Sequence, residues 1–184
     1  MDYRMSIGGI ERDLLLCPIS DELMIAALKL HGDVELTERC AEELCKIAPP
    51  HDVIITAESK GIPLAYAMCR MLSEKRYVLA RKSVKLYMSN VMKCETQSIT
   101  TKNAQVLYLD GPDVEYIKGK RVLIVDDVVS TGGSLASLEE LIVQAGATVV
   151  GKMAIIAEGD AIARPDITYL ATLPLFDKNG KPLD

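Results

Sequence analysis

The spacing of hydrophobic positions changes near residue 52. Before it the pattern is mixed. The first stretch, to about Ile19, combines glycines with a short apolar run and reads as irregular or as a short hairpin. Ser20 can cap a helix over Asp21 to about His31, because Asp21 and Glu22 fall in the first turn, where the helix dipole favours negative charge, and Gly32 stops it. A second helix is predicted from Thr37, as cap, through Ile47. Its apolar Cys40, Leu44 and Ile47 recur at helical spacing, and Pro49-Pro50 ends it.

From Asp52 onward apolar runs, turns and helical patterns alternate, as strand-helix-strand units around a parallel sheet do. Val53 to Thr56 is a strand, Gly61 to Leu72 a helix with Pro63 in its opening turn, and Tyr77 to Ala80 the next strand. Lys82 to about Asn103 is polar and without sustained period, so a long mobile loop or loose hairpin is expected; such a loop in a compact domain usually serves as a lid or binding element. Gln105 to Leu109 and the β-branched Val122 to Val125 are strands, Ser134 to Ala145 is an amphipathic helix closed by Gly146, and Val149 to Ala157 is a buried strand. Ile167 to Leu175 is the last one. The fold class is α/β, with a central, mainly parallel sheet flanked by helices.

With 184 residues, 49% of them hydrophobic, and no repeat or linker, the chain reads as a single domain spanning 1–184. Its 21 Lys and Arg against 26 Asp and Glu leave a net charge of −5 and no basic run, which argues against nucleic-acid binding. No stretch approaches the roughly 18 apolar residues of a membrane span, and the N-terminus lacks an export pattern. The cysteines, Cys17, Cys40, Cys45, Cys69 and Cys94, are odd in number and form no Cys-x-x-Cys pair, so reduced thiols in cytoplasm are expected, with neither a disulfide framework nor a zinc site. His31 and His51 have no partner at catalytic or metal spacing. Any phosphate site must therefore be local.

One segment supplies it. Ser130-Thr131-Gly132-Gly133-Ser134 lies between a buried strand and an amphipathic helix, where successive backbone N–H groups and the positive helix end can wrap an anion. A tight turn with Ser134 as helix cap would explain the glycines, but not Asp126-Asp127, adjacent carboxylates closing an otherwise apolar strand. Acceptor-only groups beside a phosphate cradle suit a ligand with neighbouring hydroxyls, such as a ribose, or a metal ion. Two more clusters follow strands: Glu58-Ser59-Lys60-Gly61, and Arg81 and Lys82 with Lys85 after them. Open parallel sheets bind ligands at the carboxyl ends of their strands, so the three clusters point to one site.

Val122 to Ser134 resembles the phosphoribosyl pyrophosphate signature of type I phosphoribosyltransferases. The resemblance covers about Asp52 to Ala157 and implies that Asp126 and Asp127 hold the ribose hydroxyls and Ser130 to Ser134 the 5′-phosphate. The Glu58-Ser59 cluster and the Arg81, Lys82 and Lys85 set are similar to the pyrophosphate-binding parts of adenine phosphoribosyltransferases, with Lys60 in place of the usual Arg. The Glu-Tyr-Gly of their mobile loop is absent, which leaves Glu95 as the candidate for proton transfer at the base. Tyr87, Tyr108 and Phe176 are candidates to stack on it.

The family implies a small hood built from the chain ends, Mg2+ carried by the pyrophosphate with no metal site in the protein, and a homodimer. It also implies transfer of 5-phosphoribosyl to a purine, adenine being favoured. Hypoxanthine-guanine enzymes usually carry an Asp where this chain has Ser130, orotate enzymes have a loop His that is missing here, and xanthine enzymes share the Ser/Thr-rich stretch Ser98 to Lys102. The reading of another class is a non-catalytic sensor of phosphoribosyl pyrophosphate.

Overall fold

A computed structural model of the chain describes residues 1–96 and 105–183. Its centre is a five-stranded parallel sheet of β4 (Val53–Ala57), β5 (Val78–Ala80), β8 (Arg121–Val129), β9 (Thr148–Glu158) and β10 (Thr168–Leu173), in the order β10-β9-β8-β4-β5. The sheet is buried on both faces, as its near-continuous apolar runs require; every residue of β4 is buried. Helices α1 (Val34–Ile47) and α2 (Ile62–Met71) pack on each other and share an apolar cluster with Ile54, Leu123 and Val125. The other face is covered by α3 (Gly111–Ile117) and α4 (Gly133–Gln144), with Leu135, Leu138, Leu141 and Ile142 against Val53, Ile55 and Ile124. Among the described residues no helix is long and apolar enough to cross a membrane.

The chain ends form a second, antiparallel sheet of β1 (Asp2–Ile7), β2 (Ile10–Pro18), β3 (Leu23–Ala27) and β11 (Phe176–Asp177), in the order β1-β2-β3-β11. This is the expected hood, and its Ile7, Leu14, Leu16 and Phe176 belong to the same apolar cluster as α1 and α2. The helix expected over Asp21 to His31 is not there. Ser20 Oγ does accept the N–H groups of Glu22 and Leu23, at 3.3 and 3.1 Å, but in a turn that leads into β3. A Ser-Asp-Glu run closes such a turn as well as it caps a helix, and pairing with β2 and β11 decides for strand.

Helix α1 starts earlier than its periodicity suggests. Asp33 is the cap, accepting Leu36 N–H at 3.1 Å, while Thr37 Oγ1 donates to Asp33 O at 2.6 Å from inside the first turn. The polar stretch after Lys82 holds β6 (Met92–Thr96), which pairs with β7 (Gln105–Leu109) as an antiparallel hairpin. Cys94 is fixed in the core under this hairpin. Ser98 to Lys102 lie outside the described residues.

Candidate active site

Strand β8 runs on to Val129, beyond the expected end at Val125, because its parallel pairing with β9 continues through Asp126↔Ala154, Val128↔Ile156 and Val129↔Ala157. Asp126 and Asp127 are therefore strand residues, close enough for their carboxyl groups to interact. Asp127 is only 4% exposed, and Asp126 is half-buried. The turn from β4 into α2 lies directly against them. A Cβ on Gly61 would collide with Thr56 Oγ1 and stand 3.0 Å from Asp126 Oδ1 and 3.3 Å from its Cα, so only glycine lets this backbone approach the end of β8.

The charges are paired across strand ends. Lys60 Nζ is 3.1 Å from Asp127 Oδ2, with half of the lysine side chain exposed. Asp127 N–H donates to Asp126 Oδ1 at 2.9 Å. Burial first, and the adjacent Asp127 charge second, push the Asp126 carboxyl upward from its ordinary range, with only partial relief from that N–H and from Lys60. Glu58 accepts Lys82 N–H at 2.9 Å and lies 3.4 Å from Arg81 Nη2, and the Lys82 N–H is the main reason its carboxyl is held below the usual range. Glu58 thus braces the end of β5 against that of β4, while Arg81 exchanges two 2.8 Å backbone hydrogen bonds with Tyr108 of β7. Lys85 Nζ donates to Ser83 Oγ at 2.7 Å.

Two adjoining cavities result. One, of about 160 Å³, is enclosed by Asp126, Val128 and the turn Ser130 to Leu135; the other, of about 180 Å³, is lined by Glu58, Ser59, Lys60, Lys82, Asp126 and Asp127 among others. They share Asp126, Val128 and Ser134. In the turn, Gly132 adopts φ +77°, the left-handed conformation that favours glycine, and starts α4, whose first backbone N–H groups face the cavity end of the helix. Gly61, Arg81, Lys85 and Glu95 line neither cavity. Glu95 is exposed on β6 opposite Val106. A larger cleft of about 470 Å³ lies at the far end of α2, between Tyr66 and Tyr77, and contains none of these groups.

The model of the phosphoribosyl transferase domain matches residues 35–180. The chain belongs to the phosphoribosyl transferase family. Curated relatives include the hypoxanthine/guanine phosphoribosyltransferases of Methanococcus voltae, 33% identical over 150 residues (82% of this chain, 73% of the relative), and Methanothermococcus okinawensis, 32% identical over 151 residues (82% and 75%). Among solved structures, adenine phosphoribosyltransferase from Thermoanaerobacter pseudethanolicus superposes with a TM-score of 0.72 at 19% identity (86% of this chain, 95% of that one). The Saccharomyces cerevisiae adenine enzyme, solved with adenine and an imino-altritol bisphosphate, gives 0.68 at 21% (86% and 92%). These structures share the parallel sheet and its flanking helices with the present chain.

Two residues that lie against the Ser130 to Ser134 turn, though they line neither cavity, escape the sequence reading. Glu158, at the end of β9 and 6% exposed, accepts a hydrogen bond from the Ser130 side chain; burial holds its carboxyl above the usual range, against that bond and the charge of Lys60. A long strand ending in a lone acid is its only signal in the sequence. Arg164 follows the 3-10 turn Gly159–Ala163 and packs its guanidinium on Gly132. Of the stacking candidates, Phe176 is fully buried in the hood with its ring 4.9 Å from that of Tyr3, and is therefore unavailable to a base; Tyr87 is exposed.

Proposed function

We propose that this protein transfers the 5-phosphoribosyl group of phosphoribosyl pyrophosphate to a purine base and releases pyrophosphate. The observation that carries the reading is the meeting of three strand ends around two adjoining cavities: a glycine-rich helix-start turn, an adjacent carboxylate pair, and the cations Lys60 and Lys82. In this proposal Asp126 and Asp127 accept the ribose hydroxyls. Ser130, Thr131, Gly132, Gly133 and Ser134 take the 5′-phosphate through backbone N–H groups and hydroxyls.

Lys60, Arg81, Lys82 and Lys85 stabilise the leaving pyrophosphate, with Glu58, Ser59 and Gly61 shaping that side. The bond from the anomeric carbon to a base nitrogen forms as the bond to the pyrophosphate oxygen breaks, and the pyrophosphate leaves with that electron pair. Catalysis is mostly orientation and charge. Mg2+ enters as part of the substrate, bound to pyrophosphate oxygens. Glu95 is the proposed acceptor of the base's proton. Glu95→Gln should lower kcat while leaving KM for phosphoribosyl pyrophosphate in place.

The choice of base divides into two readings. The likeness of Glu58-Ser59 and of Arg81, Lys82 and Lys85 to adenine enzymes supports adenine, but in this proposal those residues serve the pyrophosphate and not the base. Relatives named hypoxanthine/guanine phosphoribosyltransferases, at 32–33% identity over four-fifths of the chain, support a 6-oxopurine, and we favour it. Ser130 stands where such enzymes usually have an Asp, and the neighbouring Glu158 returns a carboxyl to that part of the turn. A homodimer in the cytoplasm is the proposed working state.

The test is to incubate the protein with phosphoribosyl pyrophosphate and Mg2+ and, separately, hypoxanthine, guanine, adenine, xanthine or orotate, measuring released pyrophosphate. Turnover with hypoxanthine or guanine supports the favoured reading, and turnover with adenine alone replaces it by the other. Binding of phosphoribosyl pyrophosphate without turnover of any base would make the protein a sensor.

A further inference from the structure

The loop Ser130 to Ser134 contains no cationic residue, and the titratable groups next to it on the sheet side are the carboxylates Asp126, Asp127 and Glu158. Lys60, on that side, is engaged by Asp127. Helix α4 contributes only about half a unit of positive charge at its start. The loop itself thus offers a phosphate dianion only backbone N–H and hydroxyl donors, and a cation at its edge would add the missing charge.

Arg164 is placed to supply it. Its Nε and Nη2 donate to Asp166 Oδ1 and Oδ2 at 3.0 and 2.8 Å, a side-on pair in which Nη1 takes no part. Asp166 Oδ2 also accepts Lys152 Nζ at 2.9 Å, and the same ammonium is 2.8 Å from Glu139 Oε2 on α4. Lys152 is only 12% exposed, so the pair is anchored to β9 and α4, the strand beside the loop and the helix that follows it. Held this way, Nη1 lies against Gly132, where any Cβ would collide with it. Gly132 is a glycine for its φ of +77°, and the missing Cβ lets Nη1 come up to the backbone of the turn. A planar fork with three N–H groups left over, two of them on Nη1, suits phosphate recognition.

We infer that Arg164, oriented by Asp166 and Lys152, is a phosphate-recognition residue that presents Nη1 to the 5′-phosphate of the phosphoribosyl ligand at the Gly132 turn. The inference rests on the phosphoribosyl reading of the site. It is tested by calorimetric titration of the full-length protein with ribose 5-phosphate and, separately, with pyrophosphate, for the parent, Arg164→Gln, Arg164→Lys and Asp166→Asn, with a thermal melt of each. Loss of charge-assisted hydrogen bonds in Arg164→Gln should weaken ribose 5-phosphate about tenfold to a hundredfold. Arg164→Lys and Asp166→Asn should lie between it and the parent, and pyrophosphate affinity should be unchanged in all.

A parent that binds ribose 5-phosphate and an Arg164→Gln variant that binds it equally well would overturn the inference while leaving the site reading intact. Equal losses for both ligands would also overturn it, by making Arg164 a structural residue. A parent that binds no ribose 5-phosphate at all would sink the phosphoribosyl reading and this inference with it.

Discussion

Asp126→Asn should make the ligand-free protein more stable while weakening its affinity for the sugar phosphate. The amide keeps the shape of the side chain and the Oδ1 acceptor that Asp127 N–H uses at 2.9 Å, and takes away one of two adjacent charges. Burial and the neighbouring Asp127 raise the Asp126 pKa in the folded state, so the folded protein binds more protons than the unfolded chain between the unfolded carboxyl value, about 3.9, and the raised folded one. The parent therefore loses stability as pH rises through that window, and the Asn variant does not. The variant's advantage should be absent near pH ~4 and full once Asp126 is ionised.

Relieving a strained functional charge typically stabilises by about 1–2 kcal/mol, and each kcal/mol moves the Tm of a chain this size by about 2–4 °C, so the Tm should rise by about 2–8 °C. The assay is a set of thermal melts from about pH 4 to about pH 8, paired with titration of ribose 5-phosphate, whose affinity should fall at least ~10-fold through loss of charge-assisted hydrogen bonds. A variant that is less stable than the parent by the same amount at every pH would refute the reasoning, because the Asp126 carboxylate would then be a net stabiliser.

Three further outcomes are expected. Gly61→Ala should cost about 1–3 kcal/mol in a denaturant melt, since its Cβ meets Thr56 Oγ1 and the backbone of Asp126, and an unchanged midpoint would show that the two strand ends are not in this contact. Lys60→Gln should weaken pyrophosphate about tenfold in a calorimetric titration; undiminished affinity would remove Lys60 from the leaving-group side. Ser130→Ala should cost about 1–2 kcal/mol at neutral pH, because it strips a donor from the buried Glu158, and that cost should shrink on acidification as Glu158 takes up a proton; a pH-independent difference in Tm would contradict this pairing.

The legible parts of the fold were those whose local pattern and tertiary role agree. The runs around Val53 and Val122 are apolar on both faces because helices cover both faces of the sheet, and the 3.6-residue repeat from Ser134 became α4. The hood was legible only as a family expectation. Leu23 to Ala27 follows the helix-start signal of Ser20 to Glu22 and has too few residues to show a period of two, so its strand state depends on β2 and β11, the latter some 150 residues away along the chain. Asp33, the true cap of α1, is also gripped by Arg12 of β2 at 2.7 Å, a contact that no local pattern announces.

The same division holds for the site. By itself the sequence determined the chemistry of the segment Val122 to Ser134: adjacent acids and a glycine-rich turn before an amphipathic helix are contiguous, and contiguous residues reach one place whatever the rest of the chain does. Tertiary structure decided what contiguity cannot. The crossovers of the parallel sheet carried Lys60 to Asp127 and braced Arg81 and Lys82 on Glu58. The longer pairing of β8 with β9 set Asp126 and Asp127 inside the sheet and brought Glu158 to Ser130, and the salt-bridged Arg164 was laid on Gly132 from beyond the sheet. Such positions follow from strand order and packing, which are properties of the whole chain and leave no mark at the spacing of a motif.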